Sequence, residues 1–367
     1  MAYKYKHLIP QNTAPKGAKS IGVYDGNGKK VCTIPLGRLA QPTKEKLYSF
    51  GLISDIHLSY WQAYPRERLA KILEYFKDNT DFCCYCGDAT DFGFWRPIDE
   101  TQGTSYYYPD TFNEFRSLCQ AYGKPVYGNC GNHESYNGYN ISGTYTDTYG
   151  ADPTLVVNNL EKLQEYTGNG LNFTVSYGND LFIFLGQPQG NRPMTDTALQ
   201  DLYTTLEANR SKRCFIFVHP PIGVGNPSNS YDTYKIFNNW GKVTEFKNLL
   251  KTYTNVILFH GHTHTTFESQ ELDSEINYST KDGFKSVHVP STATGRMPAD
   301  MVNGTLTAKD SVYSQGFIVD VYDDCIVLNG MDFINSKPIP LGTYKIDTTL
   351  QPIAANTFTD STGTIAT

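Results

Sequence analysis

From Leu47 onward two apolar patterns alternate along the chain. The first consists of short, β-prone runs bounded by Gly, Asp or Pro: LYSFGLIS, DFCCYCG, PVYGN, LFIFLG, CFIFVH and VILFH, each read as a strand. The second has helical spacing. Leu69, Ile72, Leu73 and Phe76 stand at i, i+3, i+4 and i+7 within residues 65–79, which predicts an amphipathic helix with Pro65 in its first turn. Phe112, Phe115, Leu118, Cys119 and Tyr122 predict a second helix. Leu199, Leu202 and Leu206 predict a third, which Thr195 is placed to cap, and residues 243–253 a fourth. After VILFH mostly strands follow: KSVHVPS, SQGFIVDVY and CIVLNG. Alternating elements followed by a run of strands predict a layered α/β core with a largely antiparallel second half.

The flanks read differently. In residues 1–46, IGVYDGNGKKVCTI predicts a hairpin around Asp25–Gly28, either a small appendage or a strand added to the main sheet. The main domain is expected over residues 47–346, with Tyr-rich insertions around 95–110 and 135–170, the latter holding one helix over residues 156–166. Residues 347–367 are rich in Thr and Ala and read as an extended tail. The sequence holds no internal repeat.

Composition narrows the function classes. The chain has 367 residues and a formal net charge of −6, which disfavours a broad surface for extended nucleic acid, since phosphate backbones are held mainly by Lys and Arg. No apolar run is long enough to span a membrane, and the first residues lack the apolar stretch of a secretory leader. The expectation is therefore a cytoplasmic protein, with a phage particle as the other setting. Eight cysteines fit neither a disulfide framework nor a paired zinc site. Cys84 and Cys86 share one face of a strand and read as small core residues of a protein from a reducing compartment.

The chemistry lies where strands end. The first strand of the main domain runs into Ser54-Asp55-Ile56-His57, the second into Gly87-Asp88 and on to Asp91, and the third into Gly131-Asn132-His133-Glu134. CFIFV ends at His219, and VILFH leads into Gly261-His262-Thr263-His264. Asp-x-His or a single His is weak by itself. The joint, ordered occurrence at strand ends is not, because open α/β sheets gather ligands at the carboxyl ends of their strands. His260 and His288 read as core histidines or as residues that support the ligands from behind.

The series SDIH, GDATD, GNHE, VHPP and GHTH resembles the calcineurin-like metallophosphoesterases over roughly residues 47–300. The resemblance implies two packed mixed β-sheets flanked by α-helices (αββα layers). It also implies a centre of two metal ions, of which Mn, Fe, Zn or Ni would suit these imidazole and carboxylate ligands. Carried over by position, Asp55, His57, Asp88 and His264 would hold one ion, and Asp88, Asn132, His219 and His262 the other, with Asp88 bridging. His133 would face the leaving-group oxygen as general acid, and Asp91 would orient its imidazole. The implied activity is phosphoester hydrolysis by activated water.

For the substrate, Asp91-Phe92-Gly93 lacks the Arg-Gly expected of the protein phosphatases in that family. The acidic charge ranks a nuclease below a phosphodiesterase acting on small, nucleotide-like esters. Trp95, Tyr106, Tyr107, Tyr108, Tyr136, Tyr139, Tyr145 and Tyr149 could stack a base or simply pack over the core, and Tyr136 and Arg296 are the candidate substrate contacts. Arg96 and Arg192 are further candidates for phosphate. A phage or surface structural protein carrying a phosphoesterase domain is the alternative from another class. The oligomeric state is left open.

Overall fold

The computed structural model describes residues 44–59, 62–91, 109–135, 169–186, 195–222, 242–271, 277–296 and 311–350, with residue 42 and a few short strand pieces beside them. Strands β1 (Ser20–Tyr24) and β2 (Lys30–Pro35) pair antiparallel as a sheet of their own. The main body opens with β3 (Lys46–Ile53), α1 (Tyr64–Asn79), β4 (Phe82–Cys86), α2 (Pro109–Tyr122) and β5 (Val126–Asn129). It continues with β6 (Asn172–Tyr177), β7 (Asp180–Leu185), α3 (Asp196–Ala208), β8 (Arg213–Phe217), α4 (Val243–Thr252) and β9 (Val256–His260). Strands β10 (Tyr278–Ser279), β11 (Lys285–His288), β12 (Pro298–Asp300) and β13 (Thr305–Leu306) follow. The long pair β14 (Gln315–Tyr322) and β15 (Cys325–Asp332), then β16 (Lys337–Pro338) and β17 (Tyr344–Asp347), complete the body.

These strands build two mixed sheets. One has the order β16-β15-β14-β3-β4-β5, with β17 also on β15. In it β3, β4 and β5 run parallel, while β14, β15, β16 and β17 add antiparallel pairs. The other has the order β10-β11-β9-β8-β7-β6, with β7, β8, β9 and β11 parallel and an antiparallel strand at each edge. The expected antiparallel second half therefore holds for β14–β17 and not for β11, which joins β9 in parallel with His288 opposite His260. A short apolar run reports burial but not the direction in which it pairs.

The inner strands β4, β7, β8 and β9 are buried along their whole length because both of their faces are covered, whereas the edge strand β6 alternates exposed and half-buried residues. From β3, Phe50 and Leu52 face the other sheet, as do Phe82, Cys84 and Cys86 from β4, and they meet Phe182, Phe184, Phe215, Phe217 and Phe259 from the second sheet. Phe184 and Phe217 stack with centroids 4.6 Å apart, and each such fully buried ring contributes about 1.5–3 kcal/mol. The alternate residues of the same strands turn outward to the helices. Cys83 and Tyr85 meet Leu69, Ile72 and Phe76 of α1, while Ile183 and Ile216 meet Leu199, Leu206 and Phe246 of α3 and α4. Thr195 caps α3, its hydroxyl accepting the Ala198 N–H at 3.1 Å. The described cysteines are free thiols, most of them buried in these two layers. None of the described helices is long and apolar enough to cross a membrane. The expected helix over residues 156–166 and most of both Tyr-rich insertions lie outside the described residues.

Candidate metal centre

The parallel strands β3, β4, β5, β8 and β9 all point their carboxyl ends to one edge of the sandwich, and there the loops are laced together. Past the end of β3 the chain stays zipped to the loop after β4: Ile56 N–H donates to Asp88 O at 2.8 Å, His57 N–H to the same oxygen at 2.9 Å, and Asp91 N–H to Leu58 O at 2.9 Å. Gly87 permits this approach. Its φ is +73°, and a Cβ there would lie 2.6 Å from the His219 ring. Asp55, His57, Asp88, His262 and His264 have φ between 48° and 72°, a region non-glycine residues seldom occupy. Among the described non-glycine residues only Ser336 joins them. Left-handed turns at so many side chains of one cluster mark a site whose geometry outweighs local backbone preference.

Three donor groups result, one of them, His57, Asp91 and His133, at the rim, and the other two deeper. Asp55, His57 and His264 bring their ligand atoms within 4.8 Å of one another, and so do Asp88, His219 and His262. Asn132 joins the second through its side-chain oxygen, 2.8 Å from His262 Nδ1. Asp88 lies between them: its Oδ2 is 2.9 Å from His219 Nε2 and 3.9 Å from His57 Nε2. All residues of these two deeper groups except His262 are buried to within a few per cent.

The donor chemistry fits cations. His57 Nδ1 lies 2.7 Å from Asp91 Oδ1, His264 Nδ1 2.9 Å from Thr294 O, and His219 Nδ1 2.6 Å from Cys86 O. Each of these partners only accepts, so each Nδ1 carries a proton and Nε2 is the nitrogen that faces inward, offering its lone pair once it is deprotonated. The Nε2 atoms of His57 and His264 are 3.0 Å apart, and the fully buried Oδ1 of Asp55, 3.1 Å from His264 Nε2, accepts no hydrogen bond. Lone pairs and a carboxylate oxygen packed this closely require positive charge between them. In the protein alone the imidazoles supply part of it. Burial raises the Asp55 carboxyl, but His264, His57 and His219 outweigh burial and hold it well below the usual range. Burial pulls the His219 imidazole down, but Asp88 outweighs that and lifts it to about 9.

His133 stands at the rim, one-fifth exposed, its ring edge-on to that of His57 at 4.5 Å between centroids. Its Nδ1 is held at 2.6 Å by the main-chain carbonyl of Asp91, with the carboxylate 3.7 Å away. The carboxylate of Asp91 instead holds His57. The Asp91–Leu58 hydrogen bond draws residue 91 toward the first loop, so one residue steadies both imidazoles, one through its side chain and one through its backbone. Arg296 lies against the last motif, its N–H donating to His264 O at 2.7 Å. Tyr136, Arg96 and Arg192 lie outside the described residues.

Glu134 is the residue that motif reading passed over. Its buried carboxylate accepts the N–H groups of Asp88 at 3.0 Å, Thr90 at 2.9 Å and Gly131 at 2.7 Å, binding the loop after β4 to the loop after β5. Burial and the nearby Asp88 charge push it up to about 7. The signal was present in GNHE: turns built on Gly-Asp and Gly-Asn leave amide N–H groups that need a nearby acceptor. Thr294 and Ser54 are of the same kind, Ser54 Oγ lying 2.6 Å from Asp55 Oδ2.

The calcineurin-like phosphoesterase profile matches residues 48–266. Among solved structures, a Streptococcus pneumoniae protein described as a predicted phosphoesterase is 10% identical, with a TM-score of 0.33 over 82% of this chain and 97% of that one. Plasmodium GAP50, described as the anchor in the inner membrane complex, is 11% identical, with a TM-score of 0.48 over 84% and 91%. Vacuolar protein sorting 29 of Cryptosporidium parvum is 12% identical, with a TM-score of 0.33 over 83% and 98%. At these scores the structural likenesses carry no weight for activity. No curated protein matches the chain.

Proposed function

The chain belongs to the calcineurin-like phosphoesterase family and is a metal-dependent phosphoester hydrolase; we propose that it holds two cations and acts on small, nucleotide-like phosphodiesters. The observation that carries the two-cation reading is Asp88, whose carboxylate lies between two donor groups. Asp55, His57, Asp88 and His264 would hold one ion and Asp88, Asn132, His219 and His262 the other. Divalent ions held there would supply Lewis acidity, to a phosphoryl oxygen and to a water molecule near neutral pH.

The chain's own residues do the rest. Glu134, Thr294 and Ser54 hold the ligands in place through the bonds described above. His133, with Nδ1 tied to Asp91 O, turns Nε2 toward the donor cluster, 3.9 Å from Asp88 Oδ2, where it would protonate the oxygen of the departing group. Arg296, anchored by its backbone beside His264, and Tyr136 contact the ester. The choice of a small diester rests on charge. A net charge of −6 suits a pocket that handles one or two phosphates, whereas a surface tracking a polynucleotide needs many cations.

Kinetics against a chromogenic diester, a monoester and long duplex DNA, each at low and physiological salt, tests the reading. The diester should be turned over with a KM that changes little with salt, and the DNA poorly. Efficient DNA cleavage that falls steeply with salt would replace the proposal with a nuclease. His133→Ala should retain its metals while kcat drops by about 10²–10⁴, less for nitrophenyl esters, whose leaving group needs no proton. Equal losses across leaving groups would remove the acid role.

A further inference from the structure

His262 and His264 stand one residue apart and serve different donor groups, which requires a turn the sequence does not favour. Both have left-handed φ, 72° and 59°, and Thr263 between them donates its N–H back to Gly261 O at 2.9 Å. Tight turns of this sort persist only where the surroundings over-determine them. The ligand side chains cannot do this themselves, since they point into the centre. Thr263 points the other way and is fully buried.

Its hydroxyl is a hub. Thr263 Oγ1 lies 2.8 Å from His288 Nε2 and 2.9 Å from Thr265 Oγ1. His288 ends β11 and is fully buried; the ladder sets it opposite His260, and Val289 N–H donates to His260 O at 2.7 Å. The rings of His260 and His288 are 5.5 Å apart, and neither ring nitrogen of His260 has a hydrogen-bond partner. Burial holds the His288 imidazole down to about 4, so it stays neutral, with one donor and one acceptor nitrogen. A hydrogen-bonding side chain on a rigid parallel strand thus grips the middle of the metal-binding turn from behind.

We propose that His288 is a positioning residue for the metal centre: by holding the Thr263 hydroxyl it sets the turn that sends His262 and His264 to different cations. The inference rests on the metal-centre reading above. It explains why a polar imidazole ends, fully buried, a strand whose Val287 is core. His288 neither binds metal nor reaches the ester, so its effect should appear as metal retention before it appears in chemistry.

The test uses the full chain loaded with Zn²⁺ and a chromophoric chelator that competes for the ion. His288→Leu should weaken zinc retention about 10–100-fold. KM for the diester should stay at the wild-type value while kcat follows metal occupancy. Thr263→Val should match it, and the double variant should be no worse than either single one, since both remove the same contact. His288→Gln, which keeps a polar group near the Nε2 position, should recover most of the loss. Wild-type zinc retention in His288→Leu, whatever its melting temperature, would overturn the inference, as would losses that add in the double variant. A wild-type chain that binds no zinc would instead bring down the metal-centre reading and this inference with it.

Discussion

The two ends of the sandwich bury the same kind of charge and resolve it in opposite ways. Where the strands begin, Asp180 of β7 takes Arg213 of β8 in a two-pronged contact, Nε to Oδ1 at 3.1 Å and Nη2 to Oδ2 at 2.6 Å. The Tyr48 hydroxyl adds a bond to Oδ2 at 2.5 Å. Arg213 Nη1 continues to Tyr322 O and Thr348 Oγ1, each at 2.8 Å. Tyr48 and Tyr322 belong to one sheet and Asp180 and Arg213 to the other, so the cluster ties the two together with its charge closed inside the chain. Where the strands end, no described guanidinium faces Asp55 or Asp88. The imidazoles there commit their Nδ1 protons to acceptors behind them and turn Nε2 inward, the nitrogen whose lone pair a cation can take in place of a proton. A buried carboxylate met by a fixed cation becomes architecture. One met by inward lone pairs becomes a ligand, and the energy of binding an outside cation offsets the crowding.

The largest effect should come at the ligand end. Asp88→Asn removes the shared charge, so the variant should retain about one metal where the wild type should hold about two. Its kcat/KM should fall about 10³-fold or more, against a small change in melting temperature. Elemental analysis and initial rates read both, and unchanged metal content would dissolve the contrast between the two ends. Arg213→Ala should do the reverse. It strands Asp180 and Tyr48 inside the protein and should cost about 3–5 kcal/mol by denaturant titration, while kcat of the folded fraction stays at the wild-type value. A drop in kcat without loss of stability would show that the two ends are not separable.

The smallest effect sharpens the comparison through pH. His288, depressed to about 4 by burial, titrates near 6.5 when unfolded. Between those values the unfolded chain takes up a proton that the folded chain refuses, so stability falls as the pH drops through that window, by at most about 3 kcal/mol. His260, also depressed by burial, has the same sign, while Glu134, raised to about 7, opposes both, and Asp55 lifts His288 slightly. The readout is therefore a difference: metal-free His288→Gln should lose less stability from about pH 7 to pH 4.5 than the metal-free wild type. Parallel curves would show that His288 is not depressed by its surroundings.

Much of this was legible along the chain, because it depends on local pattern. The period of 3.6 at Leu69, Ile72, Leu73 and Phe76 is a property of the helix itself, and α1 spans Tyr64–Asn79. Thr195 caps α3 because the hydroxyl and the amide it accepts are three residues apart. The donor residues were legible too, since a side chain placed after an apolar strand is delivered to the sheet edge wherever the strand goes, and the structure brings all of them together there.

What tertiary structure alone decided is which distant groups meet. No periodicity tells that β11 runs parallel to β9, that the Asp91 carboxylate holds His57 while its carbonyl holds His133, or that Glu134 serves three amides of two loops. Nor does it pair Asp180 with Arg213, or Thr263 with His288. Hydrophobic pattern records how deeply a residue is buried, which each residue expresses through its own side chain. A hydrogen-bond partner is fixed only when strands far apart in sequence stack in one register, and that is a property of the assembled sheets.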